Sequence, residues 1–111
     1  IIKKKYGIEI NKIKDIDTFK DIYELMKFIQ SCDFTITTSS TNAHLSGALG
    51  IPTYLLLPQA YGKIWYWDNV YNGKNVWYPS VKNFIQKEYK NWSHPINELL
   101  QFLIKEYKIK N

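Results

Sequence analysis

Apolar residues recur at Phe19, Ile22, Met26 and Ile29, spacings of three and four that form one helical stripe over residues 18–31. Leu25 and Phe28 widen that stripe, as in a helix packed on a sheet. Asp17 or Thr18 is placed to cap it, with Asp21 favourable in the first turn. Upstream, Tyr6, Ile8 and Ile10 alternate weakly and Ile13 falls out of step, which suggests an indistinct strand or a loop. Residues 34–37 are short and β-branched, the pattern of a buried strand entered from Asp33. Five small polar residues follow, Thr38 to Asn42. Residues 43–49 then read as a short helix stopped by Gly50, with Pro52 beyond it. Residues 53–57 form an apolar run closed by Pro58, a strand with both faces covered.

Residues 58–79 carry no clean period. They hold Gly62, Gly73, Asn69, Asn72, Asn75 and a cluster of large aromatics. A loop this long in a small domain is usually functional or disordered. The aromatic content argues for the former. Residues 81–85 predict a third strand. Ser93 or His94 then caps a final helix with Pro95 in its first turn. Ile96, Leu99, Leu100, Leu103 and Tyr107 make its apolar face, and Lys105, Lys108 and Lys110 lie near its negative end. Strands separated by helices imply parallel pairing through crossovers. The expected fold is α/β, a small three-layer parallel-sheet sandwich.

The 111 residues, 13.2 kDa in all, fit a single domain. A chain of this size buries roughly two thirds of its unfolded surface, enough for a core. With 45% apolar and 23% charged residues, a disordered tail, a collagen-like chain and a coiled coil are excluded. No apolar run reaches the roughly 18 residues that a membrane span requires. The single cysteine, Cys32, rules out an internal disulfide framework and suits a reducing compartment, so a cytoplasmic location is expected. The start, Ile1-Ile2-Lys3-Lys4-Lys5, does not read as a signal peptide but as an internal piece of a longer chain. The net charge is +5, and all 15 basic residues are lysines. Lysine is a point charge without the bidentate fork of arginine. Lys63 and Lys74 are the only basic residues among the clustered aromatics, so the charge gives little support to a nucleic-acid partner.

The polar turn is the strongest candidate for chemistry. In an open parallel sheet, ligands bind beyond the carboxyl ends of the strands. Residues 38–42 occupy that edge and lead into a helix N-terminus, whose free N–H groups and dipole favour an anion such as phosphate. The hydroxyls of Ser39, Ser40 and Thr41 add donors. An ordinary capped strand–helix turn would carry the same residues. His44, in the first helical turn, is placed to donate to a phosphate oxygen. His94 is read as a capping or surface residue. Tyr61, Trp65, Tyr66, Trp67, Tyr71, Trp77 and Tyr78 either stack a base or sugar or form a satellite core. Trp65 and Trp67 share a side if their segment is extended. The chain contains no metal-ligand spacing, no Gly-x-Ser-x-Gly elbow, no Gly-x-Gly-x-x-Gly and no Walker loop.

Residues 33–52, with Ala43-His44-Leu45-Ser46-Gly47-Ala48-Leu49-Gly50-Ile51-Pro52 at their end, resemble the C-terminal half of GT-B glycosyltransferases. The similar members are heptosyltransferase-like enzymes and bacterial glycosyltransferase domains attached to tetratricopeptide repeats. Those carry Ala-His-Leu-Ala-Gly-Ala-Leu-Gly-x-Pro, then an apolar strand ending in Leu-Pro, matched by Leu57-Pro58. A tryptophan-rich loop ending in Trp-Tyr-Pro follows, matched by Trp65-Tyr66-Trp67 and Trp77-Tyr78-Pro79. Trp92 and the helix after it match the family's close. The resemblance spans roughly residues 14–108.

The resemblance implies part of a Rossmann-like GT-B C-terminal domain, the half that binds a nucleotide-sugar donor. Ser39, Ser40, Thr41, Asn42 and His44 would hold the donor diphosphate. His44 would be the catalytic residue, donating to the leaving group. Pro58, Gln59, Lys63, Trp65 and Trp67 are the candidate base or sugar contacts. No metal or other cofactor is implied, the donor being a substrate. Ser39-Ser40 stands where the family has Asp-Thr, and Lys63 or Lys74 replaces the loop's arginines. The partner would be the family's N-terminal domain, which lies outside these 111 residues and supplies the acceptor site. The alternative is a non-catalytic relic or assembly module of the same fold, with homodimerisation through its uncovered apolar surface.

Overall fold

The computed structural model describes residues 4–5, 7–12, 17, 20–59, 65–68, 70–72 and 74–108. Tyr6, Ile13, Thr18, Phe19, Tyr61, Gly62, Lys63, Asn69, Gly73 and Lys110, all invoked above, lie outside the described residues. From residue 20 onward the elements run in chain order: α1 (Ile22–Gln30), β1 (Thr35–Thr38), α2 (Thr41–Ala48), β2 (Thr53–Leu57), β3 (Val70–Tyr71), β4 (Lys74–Asn75), β5 (Val81–Ile85) and α3 (Ser93–Tyr107). A 3-10 turn, Trp65–Asp68, precedes β3. Residues 7–12 form neither helix nor strand, and Ile8 and Ile10 are exposed.

The main sheet is parallel with order β1-β2-β5. Its register aligns Thr35 with Thr53 and Thr53 with Val81. The two-residue side-chain period then sorts the core. Leu55, Leu57 and Val81 share a cluster with Ala43 of α2 and with Trp67. Tyr54 and Phe84 share the other with Leu99 and Leu103 of α3. Helices therefore cover both faces, as expected. Each fully buried leucine contributes about 1.5–3 kcal/mol of transfer free energy.

α2 approaches the sheet through small residues. Its buried positions are Ala43, Ser46 and Gly47. The Ser46 hydroxyl donates to Thr35 Oγ1 at 3.0 Å and lies 2.6 Å from Thr53 Oγ1. The buried polar groups are thus satisfied across the helix–sheet contact. This explains why the helix carries no apolar stripe in sequence: its inner face is small rather than greasy.

Two expectations are corrected for α1. Asp21 is its N-cap, accepting from the Glu24 N–H at 3.0 Å, so the helix starts after Asp21 rather than enclosing it. Asp17 instead accepts from the N–H groups of Lys20 and Asp21 in a separate turn. The helix packs on α2 and buries Leu25 and Ile29, while Ile22 and Phe28 stay exposed. The expected burial against a sheet is not what holds it. In α3 neither Ser93 nor His94 caps. Trp92 is the N-cap residue, and Asn91 Oδ1 accepts from the Ser93 N–H at 3.0 Å.

Candidate functional site

The polar turn sits at the carboxyl edge of the sheet, between β1 and α2. Ser40 is the N-cap residue in extended backbone (φ −162°, ψ 172°), and its carbonyl accepts from Ala43 and His44 N–H. Its side chain does not cap. The hydroxyl donates to the Thr38 carbonyl at 3.1 Å and lies 3.1 Å from Thr37 Oγ1. The N–H groups of Thr41 and Asn42 consequently have no partner among the described residues. Both residues are exposed. Free donors and the positive end of the helix dipole favour an anion here.

His44 follows in the same helical turn, partly buried inside an aromatic enclosure. Its ring centroid lies 4.8 Å from Trp67, 5.1 Å from Tyr66 and 5.8 Å from Tyr78. Nδ1 is 3.2 Å from the Tyr78 hydroxyl. If the hydroxyl donates, the imidazole proton resides on Nε2, which has no partner among the described residues. That tautomer presents a donor at the helix start. The Tyr66 phenol is pushed up to about 12, chiefly by hydrogen bonding with Tyr78 and then by partial burial.

Tyr78 is held from two sides. Asn75 Oδ1 accepts from the N–H groups of Trp77 at 3.0 Å and Tyr78 at 2.9 Å, an Asx-type turn that fixes the Trp-Tyr step. On the other side the Tyr78 ring lies against the α2 backbone at Gly47. A Cβ there would meet Tyr78 Cγ at 2.6 Å. Neither Gly47 nor Asn75 stands out by spacing as a site residue. The available signal was local: an asparagine two residues before Trp-Tyr, and a glycine mid-helix where alanine is the better helix former.

The other candidates divide. Ser39 Oγ accepts from Trp67 Nε1 at 2.9 Å, and the Trp67 carbonyl accepts from Asn83 Nδ2 at 2.7 Å. Trp67 is fully buried, so it walls the His44 enclosure and is no surface contact for a base or sugar. Trp65 is 68% exposed. The two rings do not share a side, because Trp65–Asp68 is a 3-10 turn and not an extended segment. Trp77 stacks on Tyr66 at 5.1 Å with an 11° interplanar angle and stays half exposed. Gln59 is exposed and its N–H donates to Gln86 Oε1 at 3.3 Å, with half-buried Pro58 beside it. His94 pairs with Glu98 at 3.1 Å across one turn of α3. No group of metal-ligating side chains occurs among the described residues, and no described helix is long and apolar enough to cross a membrane.

No family model and no solved structure matches the chain. It is similar to Protein FlbA of Caulobacter vibrioides, 28% identical over 90 residues, which is 81% of this chain and 14% of FlbA. The chain thus spans only a small part of that relative's length.

Proposed function

We propose that the chain is the nucleotide-sugar-binding part of a GT-B glycosyltransferase, the reading its motifs suggested. The observation that carries this is the pairing of two partner-free N–H groups, Thr41 and Asn42, with His44 oriented by Tyr78. A diphosphate would sit at the α2 N-terminus, its oxygens taking the free N–H groups and the Ser39 and Thr41 hydroxyls. As the sugar departs, charge grows on the nucleoside diphosphate. His44 Nε2–H would donate to it, stabilising the leaving group through a fixed dipole. Trp65 and Trp77, both at least half exposed, lie against Tyr66, the neighbour of His44, and would offer faces for a sugar or base. The acceptor and a catalytic base would come from a further domain.

Amide-resolved NMR titration with UDP, GDP and their sugars tests this. Resonances of Ser39 to His44 are expected to move at millimolar ligand. The proposal fails if they stay still while others shift, or if nothing shifts.

One observation favours assembly as a second reading. β1 is an edge strand with no charged residue or proline, and Ile36 on it is 46% exposed. Pairing of two β1 edges would give a homodimer. A monomer in sedimentation equilibrium at the highest soluble concentration would remove that reading.

A further inference from the structure

The opposite edge of the sheet carries a second concave site. Two adjoining cavities of about 580 and 440 Å³ share Asn72, Lys74 and Pro79. The first is completed by Tyr71, Asn75 and Val76. The second reaches the amino ends of β2 and β5 and the side of α3, touching Pro52, Ser80, Lys82, Phe102 and Glu106. Volumes of this order suit one small molecule. The polar turn lies at the carboxyl ends of the same strands, so the two sites are separate.

Two features point to the class of ligand. Lys74 and Lys82 both line the cleft, and neither pairs with a carboxylate among the described residues. Lys82 Nζ stands 4.9 Å from the Phe102 ring centroid instead. One lining carboxylate, Glu106, accompanies these two ammonium groups, leaving the lining net positive. Beside them the lining offers apolar and aromatic surface, with Tyr71 74% exposed and Val76 and Pro79 next to it.

The geometry points to a binding site for a small organic carboxylate with a flat apolar body. The body lies between Tyr71, Val76 and Pro79. The carboxylate meets Lys74 and Lys82. Lysine suits this as a compact charge that needs no fixed fork.

The test is NMR titration of the full chain with phenylacetate, beside phenylacetamide and acetate. Phenylacetate is expected to move the Asn75 side-chain amide and the Ser80 and Lys82 backbone resonances, leaving Ser39 to His44 unmoved. Phenylacetamide, which lacks the charge, and acetate, which lacks the ring, should each bind at least tenfold more weakly. The K74Q/K82Q variant should lose binding at least tenfold, while the charge-matched K12Q/K20Q variant keeps it. Silence of Asn75, Ser80 and Lys82 at millimolar phenylacetate overturns the proposal. So does equal binding of phenylacetamide, or equal loss in both double variants. A folded K74Q/K82Q spectrum separates lost binding from lost structure.

Discussion

Gly47→Ala is expected to destabilise the fold even though alanine is the better helix former. In an ordinary helix interior the change would gain about 1 kcal/mol. Here the new Cβ meets Tyr78 Cγ at 2.6 Å and Cβ and Cδ2 at 2.9 Å. Carbon pairs settle near roughly 3.5–4.0 Å, so the ring must retreat by about 1 Å. Overpacking of this kind costs about 1–3 kcal/mol. The retreat also pulls the hydroxyl from His44 Nδ1, a hydrogen bond worth about 1 kcal/mol. The net expectation is a loss of about 1–3 kcal/mol, read from urea unfolding followed by tryptophan fluorescence. A double-mutant cycle isolates the cause. In a Tyr78→Ala background the ring contacts at Cγ and Cδ2 are gone and only the 2.9 Å contact with Cβ remains, so the loss from Gly47→Ala should shrink. A Gly47→Ala protein as stable as its parent would refute the reasoning. So would an equal loss in both backgrounds.

Asn75→Ala should cost about 2 kcal/mol in the same assay, because it strands the N–H groups of Trp77 and Tyr78. A change below half of that would mean water replaces the side chain easily. Asp21→Ala should remove about 1 kcal/mol by uncapping α1. Ser40→Ala should cost less than a typical cap, because its hydroxyl serves Thr38 and not the helix. Equal losses for the two would contradict the assignment of caps. The raised Tyr66 phenol, at about 12 against an ordinary 10.0, favours the neutral folded form. Its contribution is full below about pH 10 and fades as pH rises toward about 12. Ultraviolet tyrosinate absorbance should show a late-titrating phase that Tyr66→Phe removes; an unchanged curve would count against the Tyr66–Tyr78 contact.

Much of the sheet was legible in sequence. The run Thr53–Leu57 announced a strand covered on both faces, and Tyr54 and Leu55 are indeed buried on opposite sides. The α3 stripe likewise placed Leu99 and Leu103 in the core, though Ile96 and Leu100 remain half exposed at its edge. Long, strongly periodic elements carry their own signal. Three features did not. The start of α1 was blurred because Asp17, Thr18 and Asp21 are all competent cap types in sequence, and the structure uses Asp21. The aromatic loop alternates in letters, yet a 3-10 turn sends Trp65 outward and Trp67 into the core. Gly47 looked like one more small residue in a motif, whereas its use is the approach of Tyr78, a residue from a distant part of the chain. Close approaches between distant segments leave no local pattern to read.

The polar turn was found by position alone, as the residues beyond the carboxyl end of a predicted strand. The actual donor set is narrower than the five polar residues suggest. Ser40 is occupied locally and Ser39 accepts from Trp67, leaving the Thr41 and Asn42 N–H groups, the Ser39 and Thr41 hydroxyl protons and His44 Nε2 as the open donors among the described residues. The central claim is that these hold a nucleoside diphosphate. Titration calorimetry of UDP and GDP against the parent chain and His44→Ala measures it most directly. Hydrogen bonds to a charged group are worth about 1.5–3 kcal/mol, so the variant should bind roughly ten- to a hundredfold more weakly. Equal affinity of the two proteins, or no heat of binding from the parent, would contradict the account.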